Sequence, residues 1–497
     1  MERRTFVGFG LAGFGPRPAG AQRRPERPNL LMIMADQHRG DCLGCDGHPV
    51  VRTPNLDRLA REGARFRHAY STTPTCTPAR AALLTGLSPW NHGLLGYTQI
   101  PARYPFTKPR ALAEAGYWTM AIGKNHYTPQ RNTHGYHQVL LDESGRVESK
   151  EFRSDYRSWF AMNAPDRDPD ATGIGFNDFR GRPYALPENL HPTAWTGDAA
   201  VRFLESYQRP EPWFLKVSFA RPHSPYDPPK RLWDLYRDAP IPKAATGRWA
   251  SRNRPRSDET FNSWRGDLGE AQVREARQGY YGSVTHVDEQ IGRILASLEK
   301  RGLLERTLVL YFSDHGDMTG DHHLWRKSYA YEASARIPMI VRWPEGLISA
   351  KRGVVNGTPV EIRDILPTLL DAAGAPPSRP LDGRSLLAFL QGKEKRDWID
   401  LEHDVCYHRS NHWTAATDGR WKYIHHAQDG EEQLFHLERD PNELEDLAGN
   451  TAHAAPLRQW RERMVRHLEV RGEKWVRGGK LAPRPESQLR SPNYPAA

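Results

Sequence analysis

A repeated unit constrains this chain more than any single motif: a short, unbroken apolar run that stops abruptly at polar or charged residues. Asn29-Leu30-Leu31-Met32-Ile33-Met34-Ala35 ends in Asp36-Gln37-His38. Trp118 to Ile122 ends in Gly123-Lys124-Asn125-His126, and Trp213 to Phe219 leads to Arg221-Pro222-His223. Thr307 to Phe312 ends in Ser313-Asp314-His315, and Ile337 to Val341 runs into Arg342-Trp343-Pro344. Runs without alternation fit strands buried on both faces, as in a parallel sheet covered by helices. Helical patterns lie between them, such as the face formed by Val287, Ile291, Ile294, Leu295 and Leu298, which reads as core. The expected fold class is therefore α/β, a mostly parallel sheet sandwiched by helices. Ligands in such sheets bind beyond the C-terminal strand ends. That rule gathers Asp36, Lys124, His126, His223, Asp314 and His315 into one expected site.

A second feature is Cys76-Thr77-Pro78-Ala79-Arg80, followed by Ala81-Ala82-Leu83-Leu84-Thr85-Gly86. Pro near a helix start and Gly past its end place Cys76 at or just before a helix N-terminus. Backbone N–H groups and the helix dipole favour an anion there, and the same position lowers a thiol pKa. Asp36 and Asp314, at two strand ends, can hold a divalent cation, with a carbonyl oxygen from Gln37 and a ring nitrogen from His315. Oxygen ligands suit Ca²⁺ or Mg²⁺, and the imidazole draws somewhat toward Mn²⁺. Ca²⁺ is the first choice.

The 497 residues suffice for one large α/β domain and a smaller one. The N-terminus reads as an address over residues 1–21, with Arg3-Arg4 before the run Phe6 to Phe14 and Ala19-Gly20-Ala21 as a cleavage site. A twin-Arg signal and export to the periplasm are the expectation. No apolar run is long enough to span a bilayer. The net charge of +10 suits anionic partners; without a Lys/Arg tract or a nucleic-acid motif, nucleic acid is not among them. Residues 22–395 form the expected catalytic domain, and two long polar stretches, 127–190 and 224–272, interrupt it and are expected to shape a cleft. From 396 to 475 the texture changes: Trp421 to His426 and Glu432 to Leu437 alternate like antiparallel strands, and Pro456 to Val470 is helical. Residues 476–497 are a tail, Pro-rich from about Gly478 and expected to be loosely ordered. Cys42 and Cys45 form either a disulfide or two loop thiols. The pair alone is no zinc site.

The five-residue spacing at Cys76 resembles the sulfatase signature. Met34-Ala-Asp-Gln37, Gly123-Lys124-x-His126, Pro222-His223, Ser313-Asp314-His315-Gly316 and Trp325-Arg326-Lys327 follow in the order that family shows. The stretches Tyr281 to Asp288 and Leu434 to Pro441 also look like family stretches, so the resemblance covers roughly residues 29–450. It implies an alkaline-phosphatase-like fold and hydrolysis of a sulfate ester, of a sulfated carbohydrate first of all. It also implies that a formylglycine-generating enzyme converts Cys76 to formylglycine, whose hydrated form attacks sulfur. The metal set implied is Asp36, Gln37, Asp314, His315 and the converted Cys76. Arg80 would orient the nucleophile, and Lys124 and Lys327 would neutralise sulfate oxygens. His126 would act as base, and His223, with Lys327 second, as general acid.

Two departures qualify the match. Many sulfatases carry Asp-Asp and Asp-Asn where this chain has Asp36-Gln37 and Asp314-His315. The pairing here also resembles phosphonate monoester hydrolases and choline sulfatases, which stand as alternatives, with a non-catalytic sulfated-glycan binder as a third. Gly123-Lys124-x-His126 argues for sulfate.

Overall fold

The computed structural model describes residues 27–495, so the export signal expected over 1–21 lies outside the described residues. Eight strands form the main sheet. In chain order the strands of this region are β1 (Asn29–Asp36), β2 (Ala64–Phe66), β3 (Ala69–Tyr70), β4 (Trp118–Gly123), β5 (Gln138–Leu141), β6 (Trp213–Pro222), β7 (Thr307–Ser313), β8 (Met339–Arg342), β9 (Val354–Asn356) and β10 (Val360–Glu361). The sheet order is β5-β4-β6-β1-β7-β8-β2-β9, while β3 and β10 pair separately. The strands β5, β4, β6, β1 and β7 run parallel. The strand expected from Ile337 is β8, and it pairs antiparallel to β7 and β2. Its C-terminal Arg342 therefore points to the opposite end of the sheet from Asp36 and Asp314, consistent with its having no place in the expected site.

Alternate residues of β1 feed two cores. Leu30, Met32 and Met34 pack on one side with Leu308, Leu310, Phe312 and the Ala79–Leu84 helix segment. Leu31, Ile33 and Ala35 pack on the other with Val217, Val309 and the Val287–Leu298 face of the long helix Gly269–Lys300. Both faces of β1 are thus dry, which is why its sequence does not alternate. Helix α1 (Pro54–Glu62) starts after Thr53 with Pro54 in its first turn. Thr53 does not cap it; its hydroxyl donates to Asp57 instead. The cap comes from the long helix, where the Asp288 carboxylate accepts from the backbone N–H groups of Asn55 (3.2 Å) and Leu56 (2.8 Å). Burial pushes that carboxyl up to about 7.

The C-terminal region adds β11 (Ile399–His403), β12 (Trp413–Thr417), β13 (Trp421–His426) and β14 (Glu432–His436), an antiparallel meander. The helix Ala454–Leu468 packs Trp460, Met464 and Leu468 against Tyr423 and Leu434. The described part of the tail, residues 476–495, is ordered, contrary to its composition. Leu95 N–H donates to Leu489 O and Ser491 N–H to Gly93 O. Backbone pairing to residues 93–95 offsets the ordering entropy that proline-rich sequence alone leaves uncompensated. Cys42 and Cys45 are both free thiols.

Candidate active site

Helix α2 (Cys76–Thr85) opens at Cys76 itself, with Thr75 before it in extended conformation and Gly86 closing it in the left-handed region. All ten of its residues are buried, so its N-terminal dipole acts in a poorly screened setting. Cys76 Sγ lies 3.2 Å from His315 Nε2. The His315 ring is held by its Nδ1, which donates to the Gly316 carbonyl at 2.9 Å. Burial and Asp36 push the Cys76 thiol pKa up, but Lys327, Lys124 and His315 outweigh them and lower it.

One turn into α2, Arg80 reaches the strand ends. Its Nε donates to Asp314 Oδ2 and one Nη to Asp36 Oδ2, both at 2.9 Å, while the other Nη donates to the Lys124 carbonyl at 2.7 Å. Lys124 Nζ also pairs with Asp36 Oδ2 at 2.6 Å. Despite full burial, which opposes ionisation, Lys124, with Arg80 and His315, holds the Asp36 carboxyl well below the usual range. Gly123 makes this approach feasible: its φ is +92°, and a Cβ there would sit 2.0 Å from the Ser218 carbonyl oxygen.

His223 lies beside Lys327. Its Nδ1 donates to the Ser224 carbonyl at 2.8 Å, which leaves Nε2 to accept from Lys327 Nζ at 2.7 Å. Burial, then Lys327 and Lys124, keep the imidazole neutral, its pKa far below the ordinary value. Lys327 Nζ also donates to Gln37 Oε1 at 2.8 Å and to Asn177 Oδ1 at 3.3 Å. His126 sits at φ 60° with its Nδ1 buried and unpartnered. Burial first, and then Arg146 and Lys124, depress its pKa. It lines a cavity of about 460 Å³ together with Thr77, Tyr97, Gln99, Gln130 and Arg146.

The structure therefore brings Asp36, Cys76, Arg80, Lys124, Asp314 and His315 together, with His223 and Lys327 paired beside Gln37. The Gln37 side chain, expected to offer its carbonyl to a cation, accepts from Lys327 and donates to Asp317. His126 lies at the edge of the cluster, lining the neighbouring cavity. The structure adds several residues that the sequence did not indicate. Buried Glu143 accepts from the backbone N–H groups of Asn125 (2.9 Å) and His126 (3.0 Å) and pairs with Arg146. Asp317 accepts from the Gln37 side-chain amide and from the Tyr226 hydroxyl. Asn177 and Phe176, from the first long insertion, contact Lys327 and stack on His223. Thr75 Oγ1 bonds His403 Nε2 of β11 at 2.5 Å, tying the head of α2 to the C-terminal meander. His322 and His323 stand apart: His322 packs on Trp249 and Tyr331, and His323 faces Asp267.

A divalent cation fits these residues. Ligand atoms of Asp36, Cys76, Asp314 and His315 lie within 4.8 Å of one another, and all four residues are buried. Asp36 Oδ1 is buried without a hydrogen-bond partner, a cost that a cation would remove. Two carboxylates and an imidazole are a donor set for a hard or borderline cation.

A mixed, mostly parallel sheet with this charge cluster at its C-terminal strand ends and a smaller antiparallel subdomain is the architecture of the alkaline-phosphatase-like fold, as its solved neighbours show. The sulfatase family model matches residues 28–375, and a model described as N-sulphoglucosamine sulphohydrolase, C-terminal, matches residues 320–470. An arylsulfatase of Clostridium perfringens is 38% identical over 470 residues, covering 92% of this chain and 97% of its own. A choline-sulfatase of Rhizobium meliloti is 30% identical over 477 residues, covering 89% and 87%. Among solved structures, the phosphonate monoester hydrolase of Agrobacterium radiobacter superposes with a TM-score of 0.74 at 28% identity, covering 90% of this chain and 96% of its own. The chain belongs to the sulfatase family and is a sulfuric ester hydrolase.

Proposed function

We propose that this enzyme removes sulfate from a sulfated carbohydrate, using formylglycine made from Cys76 and one divalent cation, Ca²⁺ in first place. The observation that carries this reading is the placement of Cys76 at the first residue of α2, within one buried cluster with Asp36, Asp314 and His315. The C-terminal match to an N-sulphoglucosamine sulphohydrolase model supports a sulfated sugar. So does the cavity beside His126, where Thr77, Gln99, Gln130 and Arg146 offer hydrogen bonds and half-exposed Tyr97 offers a ring face.

A bound cation supplies positive charge that lowers the pKa of an oxygen nucleophile and stabilises sulfate oxygens, and the aldehyde, once hydrated, supplies that oxygen. The protein's own residues do the rest. Arg80 fixes Asp36 and Asp314 in register with position 76. Lys124 and Lys327 place ammonium groups where sulfate charge develops. We assign the base to His126, which lines the cavity beside Thr77 with its Nδ1 free of a hydrogen-bond partner. With His223 Nδ1 donating to the Ser224 carbonyl, Nε2 accepts from Lys327 Nζ. We place the leaving-alcohol proton on that pair, with Lys327 delivering it and His223 orienting the ammonium. That is the reverse of the order expected from the sequence, because His223 Nε2 accepts from Lys327 and has no proton to give. Export through the N-terminal address and conversion by a formylglycine-generating enzyme belong to the same proposal.

The test is a mass spectrum of the tryptic peptide His68–Arg80 from protein produced with its maturation machinery, paired with sulfate release from sulfated saccharides. Thiol-to-aldehyde conversion with turnover is the expected result. An intact Cys76 in turnover-competent protein would overturn the nucleophile.

A further inference from the structure

A second cluster of donors lies outside the active site, in the C-terminal subdomain. Arg484 is 9% exposed, and its Nε and both Nη atoms are buried with no hydrogen-bond partner. The guanidinium stacks on Trp475, 3.9 Å from the ring centroid, with Glu402 and Asp404 as its electrostatic neighbours. It faces a cavity of about 410 Å³ lined by Trp413, Trp475, His403, His412, Lys474 and Arg484 among others, within the size range of small-molecule sites.

Two of the carboxylates that line this cavity, Glu402 and Asp404, are already engaged elsewhere, and the third, Glu486, is exposed. Both oxygens of Glu402 accept from Arg471, at 2.6 and 2.9 Å. Asp404 accepts from the backbone N–H groups of Val405 and Gln488. The histidines nearby are neutral: burial and Arg484 bring His412 to about 3 and His425 to about 4. His412 Nδ1 and His425 Nδ1 are likewise buried without partners. A fixed guanidinium with every donor free, neutral imidazoles beside it and Lys474 at the rim form a receptor for an anion, because a buried charge without a partner is costly.

We infer that the cavity between Trp413, Trp475 and Arg484 is a second oxyanion site, which takes a sulfate group either as the free ion or carried on a saccharide. Arg484 binds the oxyanion through its Nε and Nη donors, and the two tryptophans leave room for an attached sugar ring. His403, which lines this cavity, also bonds Thr75 at the head of α2. One imidazole is thus shared between the wall of the second site and the cap of the catalytic helix.

The experiment is a selenate soak of wild-type crystals, read by selenium anomalous density, with selenate titration of the wild type and of Arg484→Met in solution. Density within hydrogen-bond reach of Arg484, separate from any in the catalytic site, is expected. Loss of the guanidinium removes charge-assisted hydrogen bonds and lowers affinity at this site about ten-fold or more. An Arg484 cavity that stays empty in crystals whose catalytic site is filled overturns the inference, whether or not Arg484→Met folds. So does an Arg484→Met protein that melts cooperatively and binds selenate at two sites as the wild type does. To separate the two sources, a monosaccharide sulfate is titrated into Cys76→Ala protein. Binding there at least as tight as that of inorganic sulfate identifies the saccharide-borne group, and tighter inorganic binding identifies the free ion. Failure of both at this cavity refutes the site.

Discussion

Arg80 and Arg484 are both buried, but their surroundings are opposite. The Arg80 guanidinium donates to Asp36, Asp314 and the Lys124 carbonyl, and its neighbour Lys124 shares the Asp36 carboxylate. The Arg484 guanidinium touches an aromatic face and no acceptor. The first lies at the convergent ends of parallel strands, where several elements each deliver one charged group. The second lies in the tail where it meets an antiparallel meander, and the nearby Glu402 and Asp404 are taken by other partners. A buried cation among carboxylates is part of the framework of its site, while one left open is poised for something that arrives later. The two regions should therefore respond differently to the loss of a side chain.

The largest effect is expected at Cys76. Cys76→Ala removes the proposed precursor of the nucleophile but only a small volume from a helix start, so on that proposal turnover falls by about four orders of magnitude or more, as for other lost nucleophiles. The melting temperature should stay within a few degrees. Sulfate release and a thermal melt on one preparation check both halves, and retained activity would refute the mechanism. Chelation of the divalent cation is expected to abolish sulfate release as well, with recovery on adding Ca²⁺.

Arg80→Met follows. It leaves Asp36 and Asp314 facing each other without their shared counter-charge, and breaking such a buried arrangement costs about 3–5 kcal/mol. Chemical denaturation should show that loss alongside lost activity. A variant with unchanged stability would mean that Lys124 alone suffices to hold the two carboxylates.

The strand-end half of this comparison was legible in the sequence; the tail half was not. Unbroken apolar runs announced β1, β4, β6 and β7, and the residues just past them became the site, because strand ends converge whatever lies between them. Cys76 and Arg80 could be placed on one helix by spacing alone. Glu143, Asp317 and Asn177 gave no such signal. Each is a single polar residue in irregular chain, and its role depends on a partner that only the fold brings near. Thr53 is of the residue type that caps helices and directly precedes α1, yet Asp288 does the capping from more than two hundred residues away in the chain. Arg484 was hidden for a related reason. A Pro-rich tail reads as loose when local composition is weighed, and its order comes from backbone pairing with residues 93–95.

Smaller effects come from the neutral histidines of the meander. His403 and His425 lie at about 4 and His412 at about 3, each lowered chiefly by burial. Their folded pKa values lie below the unfolded value of about 6.5. Their contribution to stability is therefore present above pH 6.5 and is lost as pH falls through that value toward 4. The protein should lose on the order of 1 kcal/mol per histidine between pH 7 and pH 5. His412→Gln is expected to flatten that slope, and an unchanged slope would show that the acid sensitivity arises elsewhere.

The smallest change, and the one that most sharpens the comparison, is expected for Arg484→Met in buffer free of sulfate and phosphate. The substitution keeps an apolar stem against Trp475 and removes a charge whose donors have no acceptor. Stability should stay within about 1 kcal/mol of the wild type or rise, because an uncompensated buried charge opposes folding. Adding sulfate should then stabilise the wild type more than the variant, since only the wild type gains a ligand at that cavity. A loss of stability as large as that of Arg80→Met, in the absence of any anion, would mean that Arg484 is structural like Arg80. The contrast between a paired and a waiting cation would then fail.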